Sequence, residues 1–286
     1  MKFEEFGKEV PNLEMTFIPF EFIESNFFRE LSNFYGYLKE NYSSLYSELI
    51  QKITSKIKGK PHKEHYTNKS EEIIERIAQC EFLSENQDLV IKHLNIFVNT
   101  LNISAADYRT KKEITIPAGN FFQPATDLDY LYLMTLVDIT GKENAINVFE
   151  EIVDNYVATY DSQQINIFKD LEDMRERFIR FTQNGPFGRV RVMSEVEEGR
   201  WIKICKNCEK VQTLDDLQEL DGDLLFAISC YCHIPLARMW NKNFELTLRE
   251  TIAKGDPFCA YVYHDTSQID EINHPSKGFF EKALKK

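Results

Sequence analysis

Between Cys205 and His264 the chain carries five of its six cysteines and two of its six histidines. Side chains able to attack, ligate or relay protons are thus crowded into about a fifth of the sequence. Cys205 and Cys208 form a C-x-x-C at an expected strand end, a spacing that lets two thiolates reach one metal from a turn or form a redox pair. Cys230 and Cys232 follow. In a helix, residues two apart point about 200° from each other, so these two do not serve one ligand set. Cys230 and His233, three apart, share a face. The spacing gathers Cys205, Cys208, Cys230 and His233, with Cys259 entering from the last hairpin and Cys232 packed.

Three chemistries stay open for this group. A Cys3His set would make a tetrahedral zinc centre, with Zn–S bonds of about 2.3 Å. Cys230 beside His233 would make a thiol nucleophile and its base, suited to hydrolysis or acyl-type chemistry. Cysteines are also small apolar core residues, and packing alone accounts for a cluster of them. Arg238 and Arg249 could hold a substrate carboxylate bidentately or pair structurally. Asp256 reads as a turn former at a hairpin tip, and His264-Asp265 as an oriented base or a polar strand end. Asn184-Gly185-Pro186-Phe187-Gly188 has neither a Walker lysine nor a G-x-G-x-x-G pattern, and the chain has no G-x-S-x-G or H-E-x-x-H.

The elements that must position these residues change character along the chain. The first hundred residues read as helical: Glu21 to Leu49 with Phe27, Leu31, Phe34, Tyr35 and Leu38 at helical spacing, then Ser70 to Phe82, then Gln87 to Leu101. A break at Gly59-Lys60-Pro61-His62 separates the first two, and Pro117, Gly119 and Pro124 mark an irregular segment before an apolar stretch at Leu128 to Val137. Thr140 to Val157 is strongly amphipathic, and Ile165 to Phe181 reads as a further helix. After Asn184-Gly185-Pro186 the pattern alternates. Gly188 to Met193 and Arg200 to Cys205 form an expected hairpin through Glu197-Glu198-Gly199, and Phe244 to Leu248 with Phe258 to Val262 a second. Between them Leu214 to Leu220 and Leu224 to Arg238 read as helices, the latter kinked or restarted by Pro235. The expected fold is α+β: a helical N-terminal region, residues 1–105, followed by an α+β domain, residues 106–286, with two antiparallel hairpins packed on helices.

Composition bounds the function. The chain has 286 residues and a formal charge of -12, with 22 Phe and 13 Tyr, which favours buried aromatic clusters or an aromatic-lined pocket. That charge argues against a nucleic-acid face, which needs clustered Lys and Arg; the basic stretch from Lys52 to Lys63 reads as a solvated helix end. No run is long enough to span a membrane, and the N-terminus has no apolar leader core. The expectation is a cytoplasmic protein whose cysteines are thiols, thiolates or metal ligands.

The segments Trp201–Cys205, Ser229–Arg238, Asn241–Arg249 and Thr251–Cys259 together resemble the L-2-amino-thiazoline-4-carboxylic acid hydrolase family, over about residues 130–266. Cys205, Cys230 and Cys259 match its three spaced cysteines: after a strand, on a helix, and after a Gly-Asp turn. His233 stands where that pattern has an Asp, and Ala260 follows Cys259 where it has another. The resemblance implies hydrolysis of a small cyclic or amide-type C–N or C–S substrate. Cys230 would be the nucleophile and His233 its base, Cys205 and Cys259 would line the site, and Arg238 or Arg249 would bind a carboxylate. No cofactor is implied, with zinc as the metal that the cysteine spacing could hold. A looser likeness, in the Gly-Asp-x-x-Cys hairpin, is to vinyl-reductase-type ligand-binding domains, which implies a non-catalytic small-molecule or metal-binding sensor.

Overall fold

The computed structural model describes residues 1–10, 12–58, 71–103, 111–159, 165–184, 190–214 and 221–285. The chain opens with β1 (Phe3–Phe6) and β2 (Glu14–Phe17) and passes into one long helix: α1 (Pro19–Ile23), a π turn (Glu24–Phe28) and α2 (Arg29–Asn41). Then come α3 (Ser43–Ile57), α4 (Glu71–Ala78), α5 (Glu81–Glu85), α6 (Gln87–Leu101), β3 (Ile114–Pro117), α7 (Ala118–Thr140) and α8 (Lys142–Ala158). The last part holds α9 (Leu171–Asn184), β4 (Arg191–Ser194), β5 (Arg200–Cys205), α10 (Glu209–Gln212), α11 (Gly222–Ser229) and α12 (His233–Trp240), then β6 (Phe244–Leu248), β7 (Cys259–Asp265) and α13 (Lys277–Ala283). The fold is α+β, as expected. Among the described residues no helix is long and apolar enough to cross a membrane.

Two compact units emerge, Glu14–Tyr156 and Met1–Leu13 with Val157–Lys286. The boundary expected between 105 and 106 is not where they part. α6 and α7 pack on each other inside one unit, burying Leu94, Phe97 and Leu101 on the first and Leu128, Leu131 and Tyr132 on the second. β1, at the far N-terminus, belongs to the unit of the C-terminal residues, which the helical reading of the first hundred residues passes over.

The Glu14–Tyr156 unit is mostly helical, with β2 and β3 paired antiparallel. Its core uses the abundant aromatics: Phe34 stacks on Tyr132 at 4.2 Å between centroids, and Phe27 meets Phe97 at 5.3 Å. The segment around Pro117, Gly119 and Pro124, expected to be irregular, is helical from Ala118, with Pro124 inside α7. An interior proline costs about 3 kcal/mol. The buried stripe of Leu128, Leu131, Tyr132 and Leu136 offsets it. The break at Gly59 to His62 lies outside the described residues.

The other unit is built on a five-stranded antiparallel sheet in the order β1-β4-β5-β7-β6. Both of its faces are covered, so β7 is buried at all seven positions. Alternation sorts the side chains. Met193, Trp201, Cys205, Leu246, Cys259, Tyr261 and Tyr263 share one apolar cluster, and Val192, Ile202, Ile204, Ala260 and Val262 share another with Phe280 and Ala283 of α13. The expected hairpin at Glu197-Glu198-Gly199 is present: Glu197 and Arg200 exchange backbone bonds at 3.0 and 2.9 Å, and Glu198 (φ 49°) and Gly199 (φ 65°) turn the chain. Two left-handed central residues define the type I′ turn, whose twist matches the strands. The helix expected from Ile165 starts only at Leu171. Residues 185–189 and 215–220, including the start of the expected first strand and most of the helix expected from Leu214 to Leu220, lie outside the described residues.

Candidate functional site

The cysteine-rich segment is positioned by a break between two helices. α11 ends at Ser229, where the Cys230 N–H still bonds to the Phe226 carbonyl at 2.8 Å. α12 begins at His233, with Pro235 in its first turn, where a missing N–H leaves no intrahelical bond unmade. Cys230 and Cys232 therefore flank a turn and not one continuous helix. The outcome for them is the reverse of the helical expectation: Cys230 is buried, and Cys232 is only half-buried.

The structure brings Cys205, Cys230 and Cys259 together. Cys205 and Cys259 are directly opposite each other on β5 and β7, and the Cys230 thiol donates to the Cys259 sulfur. Cys259 Sγ also accepts the Ile252 backbone N–H at 3.3 Å. The Cys230 hydrogen bond, together with this backbone bond and the Lys203 ammonium, holds the Cys259 thiol below its ordinary pKa against the opposing effect of burial. The donated bond and burial push Cys230 upward. Of the pair, Cys259 is the more acidic thiol and Cys230 the less acidic. Cys208 is half-buried and packs against the same cluster. None of the six cysteines is in a disulfide. Among the described residues, no three His, Cys, Asp or Glu side chains form a group that could hold a metal ion.

Beside this cluster lies a cavity of about 590 Å³. The sheet contributes Arg191, Lys203, Cys205 and Tyr261, α9 contributes Arg177, Phe178 and Phe181, α12 contributes His233 and Trp240, and the chain before α9 contributes Ile167 and Phe168. The spacing explains the lining. His233 and Trp240 lie seven apart on one face of α12, and Phe178 and Phe181 three apart on α9. His233 meets the Tyr261 ring edge-on at 5.2 Å. Of the thiols expected in the site, Cys205 is on the wall, whereas Cys230 and Cys259 lie behind it.

The arginines chosen from sequence are elsewhere. Arg238 forks onto Glu245, with Nε at 3.0 Å from both carboxylate oxygens and Nη2 at 2.8 Å from one, and Arg249 is exposed. Neither lines the cavity. Asp256 does act as the expected turn former, accepting the Thr251 N–H at 2.9 Å. The cations at the cavity are Arg177, Arg191 and Lys203. Their sequence signal was available: Arg191 and Lys203 fall on the alternation phase of Trp201 and Cys205, in strands whose other phase is also apolar. His264 is also buried, with Nε2 at 3.1 Å from Thr247 Oγ1.

Comparison with protein-family models, with curated proteins and with solved structures gives no match for this chain. The site stands on its own geometry.

Proposed function

We propose that the sheet-containing unit binds a small organic molecule in the cavity between α9, α12 and the β4–β5–β7 face. The observation that carries this reading is the cavity itself, at about 590 Å³ within the range of about 300–1,000 Å³ typical of small-molecule sites. Its walls are largely aromatic, with a few polar groups converging on them, the usual composition of such sites. Native mass spectrometry of freshly purified protein, compared with its denatured mass, tests it. A non-covalent organic adduct lost on denaturation supports the reading. A bare chain that also fails to gain thermal stability with any member of a small aromatic library counts against it.

A second reading, thiol-dependent hydrolysis of a C–N or C–S bond, is favoured by one observation: Cys205 and His233 line the same cavity. Cys230 keeps its proton and lies behind the wall, so the nucleophile's role passes to Cys205 in this reading. The Cys205 sulfur would add to the electrophilic carbon while His233 takes the thiol proton and returns it to the leaving nitrogen or sulfur. Water would then release the acyl group. Cys205→Ser abolishes turnover of a thiazoline carboxylate if this chemistry operates, and unchanged turnover would rule out Cys205.

A further inference from the structure

We infer that the cavity takes an aromatic carboxylate, its ring against Phe168, Phe178 and Trp240 and its carboxylate at Arg191 and Lys203; this rests on the binding reading above. Arg191 is 3% exposed. Its Nη1 donates to Thr182 Oγ1 at 2.6 Å, and its Nε is buried without a hydrogen-bond partner. Its guanidinium carbon lies 5.9 Å from the Phe178 centroid and 5.7 Å from that of Phe181. A buried lysine can shed its proton to escape an apolar setting, but a guanidinium cannot. Ring faces and one hydroxyl do not supply the counter-charge that a buried cation needs.

A second buried cation stands next to it. Arg191 is opposite Cys205 and Lys203 opposite Met193, so the two are diagonal neighbours on adjacent strands, facing the same way. Lys203 is 4% exposed, with Nζ 4.4 Å from the Phe178 centroid and 4.0 Å from that of Tyr261. Both cations therefore approach one ring, Phe178, from within the cavity wall. Among the described residues, no Asp or Glu lines that wall. Arg177, the third cation, is already forked onto Asp173 at 3.0 and 3.2 Å and is half-exposed. The local charge runs against a chain of net charge -12, so the cavity's positive character is a property of this site and not of the average surface.

These features select among ligands. A neutral apolar molecule would leave Arg191 Nε dry and unbonded, and a cation would add to the repulsion. A carboxylate accepts from the guanidinium edge and lies within reach of both charges. The aromatic body follows from the walls, which Phe168, Phe178, Phe181, Trp240 and Tyr261 make aromatic.

Titration calorimetry on the full chain with benzoate and cinnamate, each beside its carboxamide, tests the inference. Each acid is expected to bind about ten- to a hundredfold more tightly than its amide, the usual worth of hydrogen bonds to a charged group. Arg191→Met should erase that preference while keeping amide binding. Lys203→Met, measured in parallel, should weaken the acid and spare the amide, so the inference does not hang on one variant folding. Equal affinity for acid and amide in the unmodified protein overturns the anion inference and leaves the binding cavity standing. No binding of any of the four, by heat or by tryptophan fluorescence, overturns the cavity reading and this inference together.

Discussion

Within the sulfur cluster one cysteine keeps its proton so that another can accept. Cys259 Sγ receives both the Cys230 thiol and the Ile252 N–H. Cys259→Ala leaves both donors without an acceptor and should cost about 1–3 kcal/mol in urea unfolding, whereas Cys259→Ser keeps an acceptor and should lose clearly less. Equal losses would mean that the sulfur merely fills space. Arg238→Ala should instead change stability by less than about 1 kcal/mol, because its fork onto Glu245 is solvent-screened at 57% exposure. At this scale the sequence was legible where residue type is rare. Cysteines cluster visibly, and Cys205, Cys230 and Cys259 do meet. It was least legible for common cations. A lysine or arginine in a strand looks solvent-facing until the strand is known to be covered on both sides, as β5 is, so spacing near the cysteines points to Arg238 and Arg249 whereas Arg191 and Lys203 line the cavity.

Among the elements, those set by strong local rules were readable and those set by partners were not. The β4–β5 hairpin announced itself in Glu197-Glu198-Gly199, and the helix over Gln87–Leu101 in its apolar spacing. The break before α12 is partly readable too: the helix restarts at His233, and Pro235 sits in its first turn, where a missing donor leaves no intrahelical bond unmade. α7 is different: its passage through Pro124 depends on packing against α6, which no local rule reveals. The hairpin also yields a test. Gly199 has φ 65°, and a Cβ there would come within 2.8 Å of the Ile269 side chain. Gly199→Ala should therefore destabilise by about 1–3 kcal/mol. Glu198 occupies the other left-handed position at φ 49°, so Glu198→Asn should raise stability by up to about 1 kcal/mol. Thermal melts of the two variants moving in opposite directions would establish the type I′ geometry in solution; parallel shifts would contradict it.

At the scale of the whole molecule, acid sensitivity and divisibility both follow from what is buried. His264 is 1% exposed, and burial, reinforced by Arg200 and His274, pulls it from 6.5 to about 4. His274 is lowered as well, burial outweighing its bond to Glu250 at 2.7 Å. The unfolded chain takes up these protons near its ordinary 6.5 and the folded chain does not, so stability is full above that value and falls as pH drops toward about 4. Urea midpoints should decline over that window, and His264→Gln should flatten the decline. Divisibility is the harder case, because the helical periodicity of the first hundred residues puts the cut at 105/106 whereas the contacts group residues 14–156. A fragment of residues 106–286 keeps α7 but strips it of α3 and α6, which bury its apolar stripe. It also deletes β1, leaving the edge of β4 from Arg191 to Ser194 without the partner that pairs with it from Phe6 to Phe3. An exposed apolar helix face and an unpaired edge strand both promote association. This fragment should therefore aggregate or show no cooperative melt by circular dichroism, while residues 14–156, which keep α3, α6, β2 and β3 packed on α7, should melt cooperatively. A sharp transition from 106–286 with a single dispersed NMR spectrum would return the boundary to 105/106.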